Sequence, residues 1–261
     1  MGRSGGTLFG EDGRVRHRTQ HGHVVDELGL RIVRGDVQPG QAFPAEPELC
    51  ASLGVSRGTL REAMKALRAK GVIELRPRTG TKVQPRANWN FLDPDVLRWQ
   101  AQTERRRLVL SLAELRLAVE PAAARLAALR ATPDDLAELH DAYRLMLSTA
   151  AAGQPEAFNE ADVRFHIAVL RACSNDLYLA LGKAIEMALR ASFDLTATLD
   201  GAIQSTVPSH KELLEAIASG DAERSFKVGE TLVEEFIDEF SQTTAMAKHK
   251  KVRTRTTKPT A

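Results

Sequence analysis

Only two cysteines stand among the 261 residues. Cys50 and Cys173 lie far apart, each inside a helical pattern, which excludes a disulfide framework and leaves both as reduced, small apolar side chains. Aromatic residues are scarce as well, at 5 % of the chain, whereas Ala and Leu recur throughout, so helices are favoured over strands. No run of about eighteen apolar residues occurs, which excludes a membrane-spanning helix. The start, MGRSGGTLFGEDGR, lacks the apolar stretch of a signal peptide. A soluble, cytoplasmic protein without a membrane partner is expected. A Gly-rich cofactor loop and a dedicated nucleophile are also missing, and this weighs against an enzyme.

The net charge is small, +2, but it hides an asymmetry. Residues 1–88 hold 15 Lys or Arg against 9 Asp or Glu. Residues 89–245 hold 15 cations against 25 anions, and the last sixteen residues hold six cations and no acid. A basic front is thus joined to an acidic body, which suggests a polyanionic partner for the front and another task for the rest.

The pattern along the chain divides at the same place. Residues 1–20 are rich in Gly and Arg without periodicity and are expected to be a disordered tail. VVDELGLRIV then predicts a helix that stops at Arg34-Gly35, Glu46 to Leu53 a short one that ends at Gly54, and Ser56 caps a third that runs to about Lys70-Gly71. Two short β-type runs, Val72 to Leu75 and Thr81 to Val83, flank RPRTG and read as a hairpin. Three helices and a hairpin make a winged helix-turn-helix over residues 21–86. In such a fold the start of the third helix enters the major groove, which explains why VSRGTLREA places Arg57 and Arg61 where the helix dipole disfavours cations. Leu60, Ala63, Met64 and Leu67 form the apolar stripe opposite. The expected DNA contacts are Ser56, Arg57, Thr59 and Arg61 on the helix, with Arg76, Arg78 and Gly80 on the wing.

After a linker at 87–104 with Trp89, Phe91 and Trp99, expected to anchor the junction between domains, the chain is helical in pattern. Helices are predicted at Asp93 to Gln102, Arg106 to Arg130, Pro133 to Ala152, Pro155 to Cys173, Leu177 to Leu199, Ser209 to Ser219 and Ala222 to Phe240. Pro121 should kink the second of these. The fold class is therefore mostly α: the winged helix-turn-helix, then an all-α antiparallel bundle over 105–246, then a basic disordered tail at 247–261.

The segment FPAEPELCASLGVSRGTLREAMKALRAKGVIELRPRTGTKV resembles the DNA-binding domain of GntR-family transcription regulators, and the helices behind it resemble the FCD effector domain of the FadR branch. WNFLDPDVLRW and EAFNEADVRFH resemble the sugar-acid-responsive members, such as galactonate-responsive repressors. The resemblance implies a homodimer that binds an operator in double-stranded DNA under the control of a small carboxylate, an aldonate such as galactonate. Where the family usually has a DNA-contacting arginine, this chain has Pro47.

In the bundle, Asp162 and His166 stand at i and i+4, about 6 Å apart along one helix face. Alone, such a pair is a hydrogen bond more often than a metal site. The resemblance implies that the pair joins His210 around a divalent ion, zinc, nickel or manganese, with Leu232 at the position of the usual fourth ligand. The pair Arg116 and Glu120 reads either as a surface ion pair or, following the resemblance, as a carboxylate-binding fork in the effector cavity. Asn159 and Asn175 are candidates either for hydrogen bonds to a polyol effector or for helix caps. A metal-dependent enzyme using Asp162, His166 and His210, and an architectural DNA binder without an effector, are the alternative readings. The latter has no need of a long acidic helical domain.

Overall fold

The computed structural model describes residues 20–76, 80–196 and 202–256, and the chain forms two compact units, one ending at Glu104 and the other starting at Arg105. No described helix is long and apolar enough to cross a membrane.

In the first unit, α1 (Gln20–Arg34), α2 (Glu46–Leu53) and α3 (Arg57–Ala69) precede the antiparallel strands β1 (Ile73–Arg76) and β2 (Gly80–Val83). The strands pair with Ile73 opposite Val83 and Arg76 opposite Gly80. α2 begins with Pro47 in its first turn, where a missing N–H costs nothing, and ends on Gly54 in the left-handed region. The Ser56 hydroxyl accepts the Thr59 N–H at 3.2 Å and so caps α3. Leu60, Ala63, Met64 and Leu67 are buried, as the stripe predicts, with Leu28 and Ile32 of α1 and Leu49 of α2 in the same core. The winged helix-turn-helix is present. Arg78 lies outside the described residues, and Arg76 is described through its backbone alone.

The segment at 87–104 is folded onto this unit. A 3-10 turn (Arg86–Asn88) leads to α4 (Pro94–Thr103), capped by Asp93. Trp89 and Trp99 belong to the core of the first unit, with Phe91 packed against it. Trp99 donates its indole N–H to Asp26 of α1 at 3.0 Å. It lies so close to Gly29 that a Cβ there would stand 2.4 Å from the ring. Lys70, at the end of α3, bridges Asp93 and Asp95 at 2.9 and 2.8 Å.

The second unit holds α5 (Arg105–Arg130), α6 (Pro133–Ala151), α7 (Pro155–Ala172), α8 (Asp176–Thr196), α9 (Ala202–Ala218) and α10 (Ala222–Thr256). Its core joins Ala123 and Ala127 of α5, Leu139 and Met146 of α6, Phe165 and Val169 of α7, Ile185 of α8, Leu213 of α9 and Leu232 of α10. α5 runs on through Pro121, and α10 passes close to that proline at Gly229, where a Cβ would stand 3.3 Å from the Pro121 Cα. Two helices are longer than their patterns predict. α9 starts at Ala202 and continues through Pro208, whereas the pattern starts it only at Ser209, because packing overrides propensity. α10 continues past Phe240 to Thr256, since residues 241–256 contain neither Gly nor Pro to break it. The predicted end of α8 at Leu199, the tail before Gln20 and the last five residues lie outside the described residues.

Candidate functional site

Three helices bring five titratable side chains of the second unit together. Arg116 and Glu120 come from α5, Asp162 and His166 from α7, and His210 from α9. The local reason on α5 and α7 is the four-residue spacing, which puts both members of each pair on one face. That face turns inward: Arg116 is 2 % exposed, and Glu120, His166 and His210 are buried with it.

The proton positions follow from the acceptors. His210 Nδ1 lies 2.7 Å from the Thr206 carbonyl oxygen. A carbonyl only accepts, so Nδ1 carries the proton and the Nε2 lone pair turns the other way. His166 Nδ1 lies 2.8 Å from Glu120 Oε2, which fixes the same tautomer on that ring. His166 Nε2 and His210 Nε2 are then 3.4 Å apart and face Asp162 Oδ1 at 3.7 and 2.9 Å. Two lone pairs and a carboxylate oxygen thus converge, an arrangement that repels itself unless a proton or a cation sits among them. All three ligand atoms lie within 4.8 Å of one another, so Asp162, His166 and His210 form a group that could hold a metal ion. Each histidine has its other nitrogen held by a carboxylate or a backbone carbonyl, as in established metal sites. The donor set therefore fits a divalent ion that accepts both imidazole and carboxylate.

Around this group the chain supplies shape and charge. Phe165 stands edge-on to both imidazoles, with centroids at 6.1 and 5.2 Å. The Arg116 guanidinium donates from Nε to Glu120 Oε1 at 2.7 Å and lies 5.1 Å from the Phe236 ring centre. Its Nη2 reaches 3.5 Å from His166 Nε2, while its Nη1 is buried without a hydrogen-bond partner. Burial pushes the Glu120 carboxyl up, but the Arg116 guanidinium beside it and the hydrogen bonds from His166 and Arg116 outweigh this and hold its pKa at about 2. Asp162 is likewise pushed up by burial, and His166, His210 and Arg116 together keep it below its ordinary value.

Of the residues expected at the site, Arg116, Glu120, Asp162, His166 and His210 are brought together. Asn159 lies one turn before Asp162 on the same helix face, partly buried, and its side chain makes no hydrogen bond to another described residue. Asn175 is a cap: its side-chain oxygen accepts the N–H of Leu177 at 3.0 Å and that of Tyr178 at 3.4 Å, at the start of α8. Leu232 is buried in the bundle core and adds no ligand. Phe165, Phe236 and the Thr206 carbonyl are parts that sequence reasoning missed. Phe236 comes from another helix and Phe165 reads as core, while Thr206, four residues before His210 on α9, lies ahead of the helix that the pattern starts at Ser209.

On the first unit, Arg57 and Arg61 are exposed at the start of α3. Arg61 makes an open ion pair with Glu46 at 3.2 Å. The Ser56 and Thr59 hydroxyls lie 2.9 Å apart. Gly80, at the wing, has positive φ and open space around it.

Residues 20–83 match the model of the gntR family of bacterial regulatory proteins, and residues 111–234 match the FCD domain. The chain belongs to the GntR family, in its FCD-bearing, FadR-like branch. It is 40 % identical over 212 residues to the galactonate operon transcriptional repressor of Escherichia coli, covering 80 % of this chain and 92 % of that one. The regulator YieP of the same organism is 31 % identical over 211 residues, 80 % of this chain and 90 % of that one. A solved structure concerning Lar, which controls the Listeria monocytogenes agr system, shares the fold with a TM-score of 0.54 at 19 % identity, over 87 % of this chain and 99 % of that one. The chain is thus a DNA-binding transcription regulator. The enzyme reading gives way, because the families and relatives it matches are regulators.

Proposed function

We propose that this GntR-family regulator is a repressor that binds an inverted-repeat operator as a homodimer through α3 and the wing, and that a sugar acid such as galactonate controls it through the Arg116 site. The observation that carries this reading is the buried guanidinium of Arg116, with Nη1 unpartnered, beside three converging metal-ligand atoms. Buried donors are seldom left without an acceptor. A ligand carboxylate would supply one, in the geometry a guanidinium favours. Asp162, His166 and His210 would hold a divalent ion, zinc, nickel or manganese, which supplies a Lewis-acidic pole for carboxylate or hydroxyl oxygens.

The charges agree with an anionic effector. A divalent ion and Arg116 set against Asp162 and Glu120, with both imidazoles neutral, leave one positive charge in excess inside a buried site. A monoanion such as an aldonate balances it. Asn159, on the same face of α7, is suited to a hydroxyl of the polyol chain, and the 40 % identity to a galactonate operon repressor supports that choice of sugar acid. Phe236 of α10 stacks on Arg116, so effector binding is felt by the longest helix of the unit.

DNA recognition is proposed for Arg57, Arg61, Ser56 and Thr59 on α3 and for Arg76, Arg78 and Gly80 on the wing. Pro47 leaves more of the affinity to these residues. The test measures binding of a duplex selected by the protein from a randomised pool, with galactonate present or absent. Galactonate is expected to change the affinity of the parent. His166→Ala and Arg116→Ala should each lose this response while keeping, without effector, affinity within about tenfold of the parent, or roughly 1.4 kcal/mol. A full galactonate response in both variants would place the effector elsewhere.

A further inference from the structure

Gly58 is the second residue of α3, and nothing among the described residues explains it. Its φ is not in the left-handed region, so its backbone conformation is open to any residue. A Cβ built there would meet nothing closer than the Ser56 hydroxyl, at 3.8 Å. Three other helical glycines are pressed by neighbours: Gly29 by Trp99 at 2.4 Å, Gly182 by Ile167 at 3.2 Å and Gly229 by Pro121 at 3.3 Å. Glycine is, after proline, the poorest helix former, and an exposed first-turn position with room for a side chain is where the fold gains from replacing it.

The position has a second property. The Ser56 side chain takes the Thr59 N–H at 3.2 Å, and the Ser56 carbonyl takes the Leu60 N–H at 3.0 Å. The Gly58 N–H, in the first turn, has no acceptor within the helix. It lies between Arg57 and Arg61, on the helix that the family fold presents to DNA.

We infer that Gly58 is where the backbone of α3 touches the duplex: the missing side chain lets a DNA acceptor oxygen or nitrogen come within reach of the Gly58 N–H, and a methyl group there holds the helix away. The residue sets how deep α3 sits, so it controls affinity without contributing a side chain. This rests on the reading that α3 is the recognition helix, and the experiment separates the two.

The full chain selects a preferred duplex from a randomised pool, and the parent, Gly58→Ala and Arg57→Ala are compared on it at one fixed salt concentration, with thermal melting of each free protein. Gly58→Ala should melt at or above the parent temperature and yet bind the selected duplex at least about tenfold more weakly. A repeat of the selection with Gly58→Ala identifies the acceptor. An unchanged preferred sequence with uniform weakening marks a phosphate oxygen, and a changed sequence marks a base edge; both support the contact. If Gly58→Ala binds within about twofold of the parent while Arg57→Ala loses affinity, the inference about Gly58 is wrong and the recognition helix stands. If neither variant loses affinity, the placement of α3 on DNA falls as well. A lower melting temperature for Gly58→Ala would show that the fold itself needs the glycine and would overturn the inference.

Discussion

His166 donates its Nδ1 proton to the Glu120 carboxylate at 2.8 Å, across the α5–α7 contact. The same carboxylate accepts from Arg116 at 2.7 Å. Glu120 therefore does two jobs. It fixes which nitrogen of His166 is free for a ligand, and it neutralises a guanidinium that would otherwise be buried alone.

From the second job follows a stability prediction. Removing one member of a buried, hydrogen-bonded ion pair leaves an uncompensated charge and costs about 3 to 5 kcal/mol. Glu120→Ala should lower the unfolding free energy by about that amount in urea titration, and the double variant Arg116→Met, Glu120→Leu by clearly less. Equal losses in the two proteins would mean that packing, and not the stranded charge, sets the cost.

Stripping divalent ions tests the three-ligand group directly. Treatment with chelator should lower the melting temperature of the parent, and zinc, nickel or manganese should restore it. An ion at about a hundred times its Kd adds about 2.7 kcal/mol to the native state. His210→Ala should melt at the same temperature with or without the ion. A metal-induced rise as large as that of the parent in His210→Ala would remove this residue from the ligand set.

Lys70 and Arg98 give the first unit an acid-sensitive tie. Burial pushes the Asp95 carboxyl up, but the hydrogen bonds and charges of Lys70 and Arg98 hold it below its ordinary value of 3.8. A carboxyl lowered on folding stabilises above its unfolded pKa, and this contribution fades as the pH falls through the folded value. The parent should therefore lose more stability than Asp95→Asn between about pH 6 and pH 3. Parallel acid titrations followed by circular dichroism would decide it, and curves of equal slope would leave Asp95 without a role.

Trp99 and Gly29 make a contact with no slack. Since a Cβ on Gly29 would stand 2.4 Å from the indole, Gly29→Ala must displace Trp99 from the core. Overpacking of this kind costs about 1 to 3 kcal/mol. The variant should also show red-shifted tryptophan emission, as the chain has only two tryptophans to report. Unshifted emission with unchanged stability would mean that α1 and α4 can separate at no cost.

Thiol chemistry should distinguish the two cysteines. Cys173 is buried, and burial raises its thiol pKa, while Cys50 is only partly covered. Under native conditions an aromatic disulfide reagent should titrate Cys50 fast and Cys173 only after denaturation. Two equally fast thiols would contradict the packing of α7 against its neighbours.

The amino-acid sequence by itself determined the winged helix-turn-helix, because each of its parts is a local signal. Ser56 caps, Gly54 turns, the stripe from Leu60 to Leu67 repeats at helical spacing, and the short β runs flank RPRTG. It also determined the pairs Arg116 with Glu120 and Asp162 with His166, since a four-residue spacing on a helix is a spatial fact. What tertiary structure alone decided is how these pairs meet. The bridge from His166 to Glu120, the contact of His210 Nε2 with Asp162 and the cover of Phe236 over Arg116 join residues from α5, α7, α9 and α10, and no periodicity within one helix encodes the contact between two. The same holds for Trp99. Its aromatic character was legible, but its place against Gly29 and Asp26 depends on α4 folding back onto α1, which is a matter of packing and not of local propensity. The start of α9 and the end of α10 depart from the local pattern for a related reason: propensity reads Pro208 as a start and Phe240 as a stop, whereas a packed bundle carries a helix through the first, and the absence of any breaker carries it beyond the second.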